Sequence, residues 1–256
     1  MKVALEHLSI EKEGELAHVV LERPERLNAI HQPAARDLDA AARLLDQDED
    51  VKLVTIRGAG RSFCSGIDLK EIAKEELGMN IVEPWESAMR QFETMDKIVM
   101  SVVDGHAIGG GLQLGIASDI RVSTPDAQWG LTAIEESILP GLGTWRLARF
   151  VGLGRAKKLT LLGNIIDGEE ARRIGLVDHL VEAETIEEEV EALIERYMRA
   201  NSIGARLSKQ AVNDSFDLDF EAFYDRYLEL QEEAMASPDF AEAKAALRED
   251  RDPNWN

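Results

Sequence analysis

Apolar and polar positions alternate near the start of the chain and then change to helical spacing. Ala17, Val19 and Leu21 share one face of an extended run, and Gly14 separates it from the run before. Residues 3–22 therefore predict a β-hairpin. Pro33 suits the first turn of a helix whose apolar stripe is Leu38, Ala41, Ala42 and Leu45. A strand is expected at 51–57, ended by Gly58-Ala59-Gly60, then a helix at 83–97 and a buried strand at 98–103. After a glycine turn, a helix is expected at 112–118 and strands at 119–123 and 127–130. Helices follow at 145–151, 155–163, 168–174 with Asp167 as N-cap, and 185–200. Beyond residue 201 only helical patterns remain, at 206–214, 219–236 and 238–249. Strand–helix alternation up to about residue 182 implies an α/β domain with several crossovers. The expected division is an α/β core over 1–200 and a helical region over 201–256, which packs elsewhere, often on a neighbouring subunit.

Composition narrows the function classes. A chain of 256 residues can bury one generous core, with or without a helical appendage. The net charge of −20 argues against a nucleic-acid backbone or an anionic membrane as partner. The dense acidic run from Glu182 to Glu191 reads as a solvated surface. No apolar run approaches the ~20 residues of a membrane span. The N-terminus lacks the anatomy of a signal peptide. Cys64, the single cysteine, excludes an internal disulfide and suits a reducing compartment, so a cytoplasmic location is expected.

The candidate chemistry lies in two strand-to-helix turns that carry glycines: Phe63-Cys64-Ser65-Gly66-Ile67-Asp68 and Ile108-Gly109-Gly110-Gly111. Each can leave bare N–H groups at a helix start, where the macrodipole favours an anion. Either alone could be only a tight corner. Two that converge make an oxyanion hole, and a thioester carbonyl that becomes an enolate is a natural occupant.

These turns, together with residues 23–30 (Arg-Pro-Glu-Arg-Leu-Asn-Ala-Ile), Ala127-Gln128-Trp129-Gly130-Leu131, residues 139–144 (Leu-Pro-Gly-Leu-Gly-Thr) and residues 170–177, occur in the order expected of the crotonase (enoyl-CoA hydratase/isomerase) superfamily. The resemblance covers essentially the whole chain. It implies an α/β fold with a spiral ββα core, related to that of the Clp-type peptidases, and a C-terminal all-helical trimerisation region. It also implies acyl-CoA thioester substrates and a homotrimer or a dimer of trimers. Coenzyme A would be part of the substrate, and no separate cofactor or metal is implied. By motif matching, the oxyanion donors would be the N–H groups of Ser65 and Gly110, with Gly109 beside them. Ser65, Gly66, Ile67 and Asp68 would line the thioester, and the backbone of Arg26, Leu27 and Ala29 would hold the coenzyme A moiety.

The match breaks at the proton carriers. A hydratase of this superfamily uses two glutamates, and here their positions hold Gln113 and Ala133. Glutamine can orient a water but cannot exchange a proton near neutral pH. Glu135 and Glu136 lie just beyond, and a helical turn would bring Glu136 over the face of Ala133. Ordinary hydration of crotonyl-CoA is therefore expected to be inefficient. Isomerisation, decarboxylation or thioester hydrolysis through Glu136 is one alternative, and a catalytically silent acyl-CoA-binding protein is another. Near the C-terminus Asp250 replaces a frequent lysine, leaving Arg248 or Arg251 for the coenzyme A phosphates. His106 is a weak catalytic candidate. Cys64 has no obvious base nearby and reads as a packing residue. Ser65, His106 and Asp119 could be drawn as a hydrolytic triad, but Ser65 matches the donor position better.

Overall fold

The computed structural model describes residues 2–73, 78–200 and 202–255. Strand β1 (Lys2–Ala4) pairs antiparallel with β2 (Leu8–Glu13), which turns at Gly14 into β3 (Leu16–Leu21), as the alternation predicts. A short 3-10 turn (Pro24–Arg26) leads to α1 (Gln32–Gln47), where Pro33 occupies the first turn. Strand β4 (Leu53–Gly58) continues the sheet in parallel with β3. Next come α2 (Leu69–Ala73) and α3 (Met79–Thr94), which starts four residues earlier than predicted and accommodates Pro84 near its N-terminus. Strand β5 (Ile98–Val103) pairs parallel with β4.

The glycine turn is not a direct strand-to-helix corner. It carries its own strand, β6 (His106–Ile108), before α4 (Gly110–Ala117). Strand β7 (Ile120–Ser123) joins the main sheet, whereas β8 (Gln128–Gly130) pairs with β6 in a second, three-stranded sheet. A second 3-10 turn (Ala133–Glu136) precedes α5 (Gly143–Val151) and α6 (Leu153–Leu162). Strand β9 (Ile165–Ile166) closes the second sheet, and α7 (Gly168–Arg173) starts at Asp167, whose carboxylate accepts the Glu170 N–H at 2.7 Å. Strand β10 (His179–Leu180) completes a main sheet of order β1-β2-β3-β4-β5-β7-β10. Helices α8 (Ile186–Ala200), α9 (Ile203–Asp214), α10 (Phe220–Ala236) and α11 (Pro238–Glu249) follow.

The central strands β4, β5 and β7 are covered on both faces, so most of their residues are buried on either side. In β5, Val99 and Val103 point to the large core beneath α1 and α3, while Met100 and Val102 point to a smaller core closed by Val190 and Ile194 of α8. The packed pair α1 and α3 buries Leu38, Ala42 and Leu45 against Ala88, Met89 and Phe92. Helix α9 is fixed to this body by Lys209, which bonds Asp119 at 2.8 Å, and by Arg206, which bonds Asp96 at 2.6 Å. Among the described residues, no helix is long and apolar enough to cross a membrane.

Candidate active site

Helix α4 is buried along its whole length, and its N-terminus opens onto a large cavity, about 880 Å³. That volume suits a small-molecule ligand. Two loops are locked together at its floor. Cys64 forms a parallel bridge with Ala107, donating to the His106 carbonyl at 2.7 Å and accepting the Ile108 N–H at 3.0 Å. A Cβ on Gly111 would sit 2.0 Å from the Cys64 carbonyl oxygen, so only glycine permits this approach. Gly66 (φ +91°) and Gly109 (φ +55°) then meet: a Cβ on Gly109 would lie 3.7 Å from the Gly66 Cα.

This contact decides which amides face the cavity. The Ser65 N–H, expected as an oxyanion donor, instead donates to the Leu27 carbonyl at 3.0 Å and is not available. The Gly66 carbonyl and the Asp68 N–H pair with Ile30, which leaves the Ile67 N–H between them without an acceptor among the described residues. The Gly110 N–H, in the first turn of α4, has no intrahelical partner either. Ile67 and Gly110 each follow one of the two touching glycines and both line the cavity. The two unspent amides at the cavity are thus those of Ile67 and Gly110, and the Ser65 amide is not one of them.

Ser65, Gly66, Gly109, Gln113, Ala133, Glu135 and Glu136 also line the cavity. The 3-10 turn at 133–136 repeats every three residues, so Ala133 and Glu136 lie on one side of it. Glu136 is half-buried and Glu135 exposed. Asp68, expected against the thioester, turns away from it. Its carboxylate pairs with Arg23 at 3.2 Å and accepts the Lys70 N–H at 3.1 Å. Arg26, Leu27 and Ala29 lie outside the cavity wall, where Arg26 is exposed and Ala29 buried. The Ala29 carbonyl accepts from Arg23, and Asn28 bonds the Ser62 carbonyl at 2.7 Å, so this loop is pinned to the strand-to-helix turn beside it.

The weaker candidates separate cleanly. Burial pushes the Cys64 thiol up to about 12, as befits an inert packing residue. Asp119 bonds the Val99 N–H and Lys209, both at 2.8 Å, so no triad with Ser65 and His106 is assembled. Arg251 is bound by Glu242 at 2.5 Å and Glu249 at 2.7 Å, while Arg248 is exposed.

Among the cavity residues that escaped the sequence reading are Trp85 and Glu86 of α3. Trp85 belongs to the buried stripe with Ala88, Met89 and Phe92, and its ring edge packs where a Cβ on Gly110 would point. Glu86 accepts the Leu142 N–H at 2.8 Å and an Arg146 N–H at 3.3 Å. The site thus combines two unspent amides, apolar walls and three carboxylates, Glu86, Glu135 and Glu136.

The chain has known relatives that share this architecture. A family profile described as Enoyl-CoA hydratase/isomerase matches residues 11–256. A short-chain-enoyl-CoA hydratase of Clostridium acetobutylicum is 31% identical over 96% of either chain. A crotonyl-CoA hydratase of Syntrophomonas wolfei is 32% identical over 99% of either chain. The crystal structure of an enoyl-CoA hydratase from Bacillus anthracis superposes with a TM-score of 0.91 at 29% identity, covering 98% of this chain and 99% of that one. With the α/β body, the paired glycine loops and these matches over nearly its full length, the chain belongs to the enoyl-CoA hydratase/isomerase family.

Proposed function

We propose that this enzyme binds an acyl-CoA thioester with its carbonyl oxygen between the Ile67 and Gly110 amides and stabilises the enolate formed there. One observation carries the reading: two unspent N–H groups flank a single contact between positive-φ glycines at the floor of the cavity. Such preorganised donors stabilise developing charge without reorganising, and each is worth roughly 3–4 kcal/mol in the transition state. Glu136 is the acid/base at the α-carbon. It is half-buried, lines the cavity and stands over Ala133, where the sequence leaves the usual position empty. Gln113 holds polar substrate atoms or water, because its side chain cannot carry a proton.

The reaction class is proton transfer next to a thioester, with hydration or isomerisation of an enoyl group as the nominal outcome. The loop of Arg26, Leu27 and Ala29, outside the cavity wall, is assigned to the coenzyme A moiety. A homotrimer or a dimer of trimers fits the large apolar side chains left exposed on the last helices, including Phe220 and Leu247.

Calorimetric titration with acyl-CoA thioesters of graded chain length, with products followed by mass spectrometry, tests the proposal. Binding with turnover supports it. Tight binding without turnover of any thioester would instead indicate a silent binding protein, and absence of binding would refute the site.

A further inference from the structure

Resting on the acyl-CoA reading above, we infer that Glu86 is a second proton-transferring carboxylate of this site, acting on a water that Gln113 holds.

Glu86 sits beside the buried stripe of α3, and its carboxylate is turned inward with 15% of the side chain exposed. It is held at both oxygens. Oε1 accepts the Leu142 N–H at 2.8 Å, and Oε2 accepts from Arg146 at 3.3 Å. Arg146 is itself only 1% exposed and is shared with Glu93 at 3.4 Å. A carboxylate gripped this way has a fixed direction, which general acid–base chemistry requires before anything else.

That direction leads to Gln113. A Cβ on Gly141 would lie 2.2 Å from Glu86 Oε1, 2.8 Å from Gln113 Oε1 and 3.2 Å from Gln113 Nε2. Both side chains therefore meet beside the Cα of Gly141 and line the cavity together there, a packing that a side chain at 141 would block, and Gly141 also needs its φ of +53°. Gln113 Oε1 accepts the Gly143 N–H at 3.2 Å, which orients the amide and leaves Nε2 to donate. An amide donor beside a carboxylate acceptor is a seat for one water, with the amide fixing it and the carboxylate able to take its proton. The glutamate missing at position 113 is thus supplied from another helix, next to the same spot.

The step balances with an enoyl thioester as acceptor. The water oxygen bonds to the β-carbon while one water proton moves to the Glu86 carboxylate. The double-bond electrons shift towards the thioester oxygen, held by the Ile67 and Gly110 amides. As the carbonyl reforms, the α-carbon takes a proton from protonated Glu136. Glu86 then releases its proton to solvent and Glu136 regains one, so the net change is addition of one water.

The test uses crotonyl-CoA hydration, with α-hydrogen exchange of butyryl-CoA in heavy water as control. Glu86→Gln is expected to lower the hydration rate by about 10²–10⁴-fold, with KM changed less than about threefold and exchange retained. Adding Gln113→Glu to that variant is expected to restore at least tenfold of the lost rate, by returning a carboxylate to the same spot. Gln113→Leu, which leaves Arg146 and its partners untouched, is expected to lower hydration. Wild-type hydration rates in Glu86→Gln or in Gln113→Leu would overturn the inference, as would loss of rate without rescue in the double variant. If the wild type exchanges α-hydrogens but does not hydrate crotonyl-CoA, this inference alone falls. If it neither binds nor exchanges, the acyl-CoA reading falls with it.

Discussion

The Leu27 carbonyl accepts the Ser65 amide at 3.0 Å, and this bond ties residues 23–30 to the first glycine loop. Leu27 and Asn28 both have positive φ, so the loop is bent sharply to place that carbonyl. The Ser65 N–H is thereby structural, and the next amide free to face the cavity is that of Ile67. Replacing single amides by esters separates the two roles. An ester at residue 67 is expected to lower turnover roughly 10²–10³-fold with little change in stability. An ester at residue 65 is expected to cost about 1 kcal/mol of stability by deleting one hydrogen bond, with a smaller effect on rate. Urea unfolding and steady-state kinetics read both.

Two adjacent glycines differ in the same way. A methyl on Gly110 would meet the end of the Ile30 side chain at 2.4 Å, which can move aside, and would crowd the cavity wall at Trp85. Gly110→Ala should therefore fold but bind thioesters poorly. A methyl on Gly111 would meet the Cys64 carbonyl oxygen at 2.0 Å, and that backbone is fixed by its bridge to Ala107. Gly111→Ala is expected to lose roughly 3 kcal/mol or more, because overpacking against backbone cannot relax. Thermal unfolding and calorimetry distinguish the pair.

Arg146 is the buried cation between Glu86 and Glu93. Arg146→Met would leave Glu86 with only the Leu142 N–H and Glu93 with only the half-exposed Arg90, and a destabilisation of about 3 kcal/mol is expected. Restoring stability by adding Glu93→Gln, measured by denaturant titration, would identify the unpaired charge as the cause.

The C-terminal segment carries a pH-dependent latch. Arg251 bonds both Glu242 oxygens, and the Asn254 N–H adds another bond, holding Glu242 down to about 2 from an ordinary value of 4.5. Because the folded form titrates lower than the unfolded one, the latch is intact above pH 4.5 and weakens as pH falls towards 2. The Glu242 carboxyl resonance, followed by NMR, should titrate well below pH 4. A midpoint at the ordinary value would show that the latch is open in solution.

Local patterns revealed most of the architecture. The hairpin at 3–22, the stripe of α1, the Asp167 cap and the four last helices follow from spacing and capping chemistry that act within a few residues. Strand β6 was not legible, because three residues between glycines carry no periodic signal and pair only with distant segments, residues 128–130 and Cys64. The glycine loops were visible as chemistry, but the identity of the donor was not. It depends on the Leu27 carbonyl, which belongs to a different segment of chain. Glu86 was hidden for the same reason. One glutamate beside a helix stripe looks like surface until Arg146, sixty residues on, and Gln113 are brought to it.

The central claim is that this site makes and holds a thioester enolate. The most direct measurement is uptake of deuterium at the α-carbon of butyryl-CoA in heavy water, followed by mass spectrometry in the wild type and in Glu136→Gln. Catalysed uptake by the wild type is expected, falling about 10²–10⁴-fold in Glu136→Gln with calorimetric affinity preserved. Tight binding of butyryl-CoA by the wild type without any deuterium uptake would contradict it.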